Sequence, residues 1–470
     1  MVHTKPVVSP LDRSWLWGVP IATAVTAVVV YVFTVQRGLS WLHMGTDGGE
    51  LITAAVTLGV PHPPGYPTYI VLGKLASLIP IGNVALRLNL FSAVCTAVAA
   101  AFVSATAIGW PRRATTRLEL FAAWVAGLTF AFAPLVWSQA IITEVYGLNL
   151  AVLAALLWAL LTGRPVWWVG VLFGLSLTTH LTSALMLPLI LLIVPRQQWM
   201  VVLGGACLGV LPLLLIPVLA AGDSPVVWGD PTTPSGWLWL VSGALYRPNL
   251  YSLPPAELLT RLQQALPALL RQFAFIGWLL LPVAFTRSWR TRTMWYLAAT
   301  AAGYAAYATV YNSVDHVLYF LPGLLLLTLL LIPGLRSLRQ WSPLLPVLLL
   351  TLNLTAMRVD NSTAVHDAVA ALFEQTPANA VLLTSEDVNI FTLWYYQHVE
   401  GLRPDVVVVD RNLMGFDWYR QRLGYQSPKL HGLEQYDVAE FVRSNIDFRP
   451  ICTATLLEPA QIICNEALIE

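Results

Sequence analysis

Residues 85–109, "ALRLNLFSAVCTAVAAAFVSATAIG", carry no charge after Arg87. Their length and apolar character are those of a helix that crosses a bilayer. The rest of the chain repeats the pattern. Of its 470 residues 57% are hydrophobic and only 11% charged, where an ordinary globular chain is roughly 25% charged. That composition excludes a soluble globular protein and a disordered one. Working outward from 85–109, apolar runs predict about eleven transmembrane helices: 15–35, 85–109, 118–136, 145–161, 166–179, 181–195, 199–221, 266–286, 294–311, 317–334 and 342–357. The fifth and sixth are short for independent spans and read equally as a buried hairpin.

The charges divide the chain. Sixteen of its 25 acidic residues follow position 358, so a membrane part, 1–357, precedes a water-soluble tail, 358–470. In the membrane part every second loop is basic: Lys5 and Arg13, then Arg112, Arg113 and Arg117, Arg164, Arg196, Arg287, Arg290 and Arg292, and Arg336 and Arg339. Short basic loops stay cytoplasmic. The N-terminus is therefore predicted inside, and the loops 36–84 and 222–265 outside with the tail. No small-residue cleavage site follows the first apolar run, which is read as a retained helix. The net charge of +1 and the lack of a long basic run give no sign of a nucleic-acid partner.

In the tail, "NAVLLTS" (379–385) reads as a buried strand, "DVNIFTLWYYQHVEG" (387–401) as a helix and "RPDVVVVD" (403–410) as a second strand. This βαβ rhythm predicts a small extracytoplasmic α/β domain. Cys452 and Cys464 flank a strand-turn-strand pattern and form either a disulfide or two buried thiols. Cys95 and Cys207 lie in spans and read as packing residues.

The first outer loop holds the densest polar cluster. Asp47 and Glu50 share one helical face at spacing i, i+3, and "HPPGYP" (62–67) adds the His62 imidazole and the Tyr66 phenol on a rigid turn. Lys74 follows on a segment too short to span, read as interfacial. Three further outer-edge sites add Glu144 and Tyr146, His180, and Asp315 and His316; the loop 222–265 adds Asp230 and Arg247. Polar groups at membrane depth usually face a cavity or pathway. Carboxylates and aromatic rings suit a sugar, and an Arg suits a phosphate. No Gly-rich phosphate loop points to a nucleotide.

The ordered motifs "TDGGE" (46–50), "GVPHPPGYPTY" (59–69), "NLFSAV" (89–94), "SQAIITEVYGLN" (138–149), "THLT" (179–182), "WGDPTTPSGWLW" (228–239), "YNSVDHVLYFLPG" (311–323) and "LWYYQHVEGLRPDVVVVD" (393–410) resemble a bacterial family of polytopic proteins. That family is of the GT-C type of membrane glycosyltransferase and includes a vertebrate protein O-mannosyltransferase. The resemblance spans about residues 15–425. The family more often has "DSGE" where this chain has "DGGE", which keeps both acids and removes one hydroxyl.

The resemblance implies transfer of a sugar, mannose or a related hexose, from a polyprenyl-phosphate carrier to an acceptor hydroxyl, with inversion, at the outer face of a bacterial inner membrane. It implies Asp47 as catalytic base. Arg247, His62 and Lys74 are the expected partners of the lipid phosphate, with Glu50, Glu144 and His180 shaping the sugar or acceptor site. Tyr66, Tyr146, Asp230, Asp315 and His316 complete the expected substrate-binding set. No metal ligand set is expected, although the acid cluster leaves a divalent cation open as a cofactor. The acceptor is protein, lipid or polysaccharide. A lipid or sugar transporter and a non-catalytic scaffold are the competing classes. The first would favour charges near span midpoints, the second an acid cluster that tolerates replacement.

Overall fold

The computed structural model describes residues 14–288, 291–457 and 461–464. Lys5, Arg13 and Arg290, on which part of the orientation argument rests, lie outside the described residues. The membrane part is a helical bundle built around Val84–Gly109, which packs against Ser14–Val32, Arg117–Ala131 and Tyr146–Leu161. Lipid offers no hydrophobic drive for helices to pair, so small residues and interhelical hydrogen bonds do that work. Gly170 and Gly174 of the helix Val166–Leu177 meet Gly205 and Gly209 of Trp199–Gly209 backbone to backbone, leaving no room for a Cβ. Thr23 and Ser104 hydroxyls pair at 2.7 Å, and the Tyr31 hydroxyl donates to the Ala131 carbonyl at 2.8 Å. Such bonds contribute about 0.6 kcal/mol each.

Among the described residues three helices are long and apolar enough to cross a membrane unaided: Val84–Gly109, Arg196–Ala220 and His316–Trp341. Two bent pairs raise this to five. Arg117–Ala131 and Pro134–Ala140 meet at 71°, and Pro255–Arg271 and Ile276–Thr286 at 82°. The expected continuous spans 118–136 and 266–286 are therefore broken. Pro134 starts a new helix in the first, and the positive φ of Ala274 and Phe275 turns the chain in the second. The remaining apolar helices are shorter, and the count of about eleven is not confirmed. Such a helix can stand at membrane depth when protein surrounds it. Cys95 packs inside as expected, whereas Cys207 is exposed on the bundle surface.

The tail folds as read. Strands β1 (Val381–Thr384), β2 (Val407–Asp410), β3 (Ile451–Thr455) and β4 (Gln461–Cys464) form one sheet in the order β2-β1-β3-β4. β1 is parallel to β2 and β3, while β3 and β4 are antiparallel. The helix Asp387–His398 makes the crossover from β1 to β2. Cys452 and Cys464 face each other across β3 and β4 and form a disulfide, which settles the two alternatives.

The tail is clamped to the loops 36–84 and 222–265. The Gln36 side chain donates to the Val359 carbonyl at 2.6 Å, and the Trp41 indole to the Thr392 hydroxyl at 2.9 Å. Arg422 donates to the carbonyls of Gly222 and Ser224 at 2.8 and 2.5 Å. A Cβ at Gly49 would overlap the carbonyl of Phe391, so the helices Gly48–Thr57 and Asp387–His398 touch at their backbones.

Candidate active site

The bundle, the two long loops and the tail line an open cavity of about 800 Å³. Its centre is set by the first loop. A single-turn segment, Leu42–Asp47, holds His43 and Met44 at φ 59° and 65°, a strained conformation of the kind retained at functional sites. Asp47 follows it and precedes the helix Gly48–Thr57, which carries Glu50 in its first turn. The chain returns through a proline-rich turn in which Gly65 adopts φ 87°, a conformation that glycine takes without steric cost. The turn is pinned to the loop 222–265, since the Trp228 amide donates to the Val60 carbonyl at 3.0 Å.

His62 is thereby seated between the two acids. Glu50 is fully buried. Its Oε1 accepts the His62 amide at 3.1 Å, and its other oxygen pairs closely with the His62 Nδ1. The His62 Nε2 lies 3.7 Å from the Asp47 Oδ2 and 3.2 Å from the Tyr66 hydroxyl. Burial alone would lower the His62 imidazole, but Glu50 and Asp47 outweigh it and raise the group to about 10. His62 is then an imidazolium at neutral pH, donating from both nitrogens.

Burial pushes the Asp47 carboxyl up to about 7, while His62 opposes the rise. Its side chain keeps 32% of its surface open to the cavity, so water moderates the effect of burial. The result is a carboxylate that reaches solvent and titrates near neutrality, the range suited to a general base.

Around this centre the structure gathers most of the sequence-predicted residues. Glu144, 2% exposed, is raised by burial and by the neighbouring Asp47 and Asp315 carboxylates. Tyr146 donates to Asp315 at 3.4 Å, and Ser313 holds the other oxygen of that carboxylate. His180 accepts from the Thr182 amide at 3.3 Å and sits among the rings of Tyr66, Tyr146 and Tyr319. Burial lowers it to about 4, so it is neutral. Arg247 lines the cavity wall with one bond to Ser242 at 2.8 Å and donors to spare.

Three expected residues are not brought together with these. The Lys74 ammonium is bound to the Val56 carbonyl at 2.6 Å, because its helix turns that face toward Gly48–Thr57. Asp230 caps a local turn by accepting from Thr232 at 2.5 Å. His316 faces the Ala308 carbonyl at 2.9 Å. None of the three lines the cavity.

Tyr246 was not singled out by the sequence, yet its ring stands edge-on to His62 at 6.3 Å. Asp387, Phe391 and Asn412 of the tail also line the cavity. The Phe391 ring lies parallel to His62 at 6.4 Å. Among the described residues no group of three or more His, Cys, Asp or Glu side chains is arranged to hold a metal ion. The place between Asp47 and Glu50 is filled by the His62 ring.

Residues 47–202 match the family described as Protein O-mannosyl-transferase TMEM260 N-terminal domain, and residues 365–445 match TMEM260-associated domain 2. The chain belongs to the TMEM260 family of GT-C membrane proteins. Among TMEM260 relatives, the Mus musculus Protein O-mannosyl-transferase TMEM260 is 27% identical over 87% of this chain and 65% of its own length. The Dictyostelium discoideum protein of the same name is 22% identical over 91% of this chain and 62% of its own. The chain thus spans slightly less than two thirds of these relatives.

The fold is shared with ArnT from Cupriavidus metallidurans. Its crystal structure bound to undecaprenyl phosphate superposes with a TM-score of 0.56 at 12% identity, covering 94% of each chain. Its apo form gives 0.58 at 13% identity, covering 96% of this chain and 98% of the other. At such identities the likeness is one of fold.

Proposed function

We propose that the protein is a membrane glycosyltransferase that moves a hexose, mannose or a close relative, from a polyprenyl-phosphate carrier to an acceptor hydroxyl, inverting the anomeric centre. The observation that carries the reading is the Asp47 carboxylate, open to a large cavity and held 3.7 Å from the buried His62–Glu50 pair. The acceptor oxygen attacks the anomeric carbon, its proton passes to Asp47, and the bond from that carbon to the phosphate oxygen breaks on the opposite face. Polyprenyl phosphate leaves with the electron pair. Arg247 is placed to bind its charge bidentately. His62 opposes the rise that burial imposes on the Asp47 carboxyl, so that it ionises through neutral pH, and Glu50 holds His62 charged. Glu144, Tyr66, Tyr146, His180 and Asp315 line the sugar and acceptor space.

The names of the relatives support a mannosyl group and a protein acceptor, and the lipid bound by ArnT supports a polyprenyl-phosphate donor. In this reading residues 1–357 form the catalytic membrane domain and 358–470 an extracytoplasmic domain over its mouth. The N-terminus lies in the cytoplasm of a bacterial cell. The test supplies polyprenyl-phosphate-linked radiolabelled mannose or glucose to membranes that carry the protein. Label is expected in protein, through a linkage of inverted configuration. Label in lipid or polysaccharide would reassign the acceptor. Retained configuration, or no transfer from either donor, would overturn the reading.

A further inference from the structure

The tail supplies part of the cavity wall, and among the described residues three of its polar side chains there, Glu386, Asp387 and Asn412, make no hydrogen bond. β1 and β2 are neighbours in register up to Thr384 and Asp410. Their carboxyl ends open toward the cavity, with Asp387 just after β1 and Asn412 just after β2 lining it. In open α/β sheets, ligands bind outside the carboxyl ends of the strands. Both side chains are exposed to the cavity, and among the described residues neither the Asp387 carboxylate nor the Asn412 side-chain amide makes a hydrogen bond, although the Asp387 charge acts on His62. Behind them Asp410, 2% exposed, uses Oδ1 to accept the Asn412 and Leu413 amides at 2.9 Å each and leaves its buried Oδ2 without a hydrogen bond.

The edge is held firmly in place. Gly49 touches the Phe391 backbone, Trp41 bonds Thr392, and the Phe391 ring lies parallel to His62. Asp387, four residues before Phe391, is therefore fixed relative to Asp47. A carboxylate and a carboxamide on one cavity wall offer acceptors and donors for the hydroxyls of a sugar.

We infer that Asp387 and Asn412 form a sugar-hydroxyl subsite, so that the tail helps determine which hexose the enzyme handles. The inference rests on the glycosyltransferase reading for its biological meaning, but its test measures binding and needs no turnover.

Full-length protein in nanodiscs is titrated with undecaprenyl phosphate and with undecaprenyl-phosphate-mannose and -glucose, as wild type, Asp387→Asn and Asn412→Ala. A size-exclusion profile like that of the wild type checks folding. The wild type is expected to bind at least one sugar-lipid more tightly than the bare lipid. Asp387→Asn should lose about tenfold of that preference and Asn412→Ala several-fold, as hydrogen bonds to a charged and a neutral partner imply, with the affinity for bare lipid kept.

The hydroxyls belong to one of two molecules. Methyl α-mannoside is therefore added with the sugar-lipid saturating. Its exclusion assigns the subsite to the donor sugar, and Asp387-dependent binding alongside the lipid assigns it to a glycan acceptor. A wild type that binds bare and sugar-bearing lipid alike and shows no Asp387-dependent binding of the glycoside, or variants that keep the full preference, would overturn the inference. Failure of the transferase reading would show separately, as binding without transfer.

Discussion

Replacing His62 by Gln should move the acid limb of the rate profile upward. With Asp47 as base the active form is deprotonated, so kcat/KM rises with pH through the Asp47 value of about 7. His62 lowers that value, and its loss must raise it. A unit charge at 3.7 Å is worth about 4 kcal/mol at an effective dielectric near 20. The Asp47 side chain is 32% open to the cavity, which about halves that figure.

The remainder is about 2 kcal/mol, on the order of one pH unit. Initial transfer rates from a radiolabelled sugar-lipid in proteoliposomes, between pH 5.5 and 9.5, would place the limb near 7 in the wild type and near 8 in His62→Gln. A Tyr66→Phe control removes the hydroxyl near His62 without changing charge and should leave the limb where it is. A limb that stays put in His62→Gln, or moves down, would refute the reasoning.

Arg247→Ala should weaken binding of undecaprenyl phosphate about ten- to a hundredfold, the range for charge-assisted hydrogen bonds, in an equilibrium titration. Gly49→Ala forces apart the helices Gly48–Thr57 and Asp387–His398 and should cost about 1–3 kcal/mol, read as a lower Tm and faster proteolysis of the tail. Cys452→Ser opens a loop of sequence separation 12 and should remove about 2–3 kcal/mol from the tail, seen as a lower denaturation midpoint that reductant does not shift further.

The sequence reading succeeded where one stretch of chain sets its own geometry. The alternation of strand and helix from Val381 to Asp410 reports a βαβ unit because burial on both faces of a parallel strand demands an apolar run. Asp47, Glu50 and His62 were legible as a cluster because a tight turn joins them. Glu144, His180 and Asp315 were legible from the cost of polar groups at membrane depth.

What escaped depends on side-chain direction and on long-range docking. Lys74, Asp230 and His316 stand in polar loops like the others, yet each satisfies a nearby carbonyl or hydroxyl and turns from the cavity. Asp387 and Asn412 reach the site only because Gly49 lets the tail approach so closely, a contact across more than 300 residues of chain. The acidic turn "SED" at 385–387 was a visible signal, but nothing local tied it to Asp47. The spans at 118–136 and 266–286 read as continuous because hydropathy averages over the bends.

The most direct test of the central claim compares wild type with Asp47→Asn for transfer of radiolabelled hexose from undecaprenyl-phosphate-mannose and -glucose, each protein shown to bind undecaprenyl phosphate equally. The account predicts transfer by the wild type and a loss of at least 100-fold in the variant, on the order of what a positioned general base contributes, with lipid binding intact. Turnover retained by Asp47→Asn would contradict it.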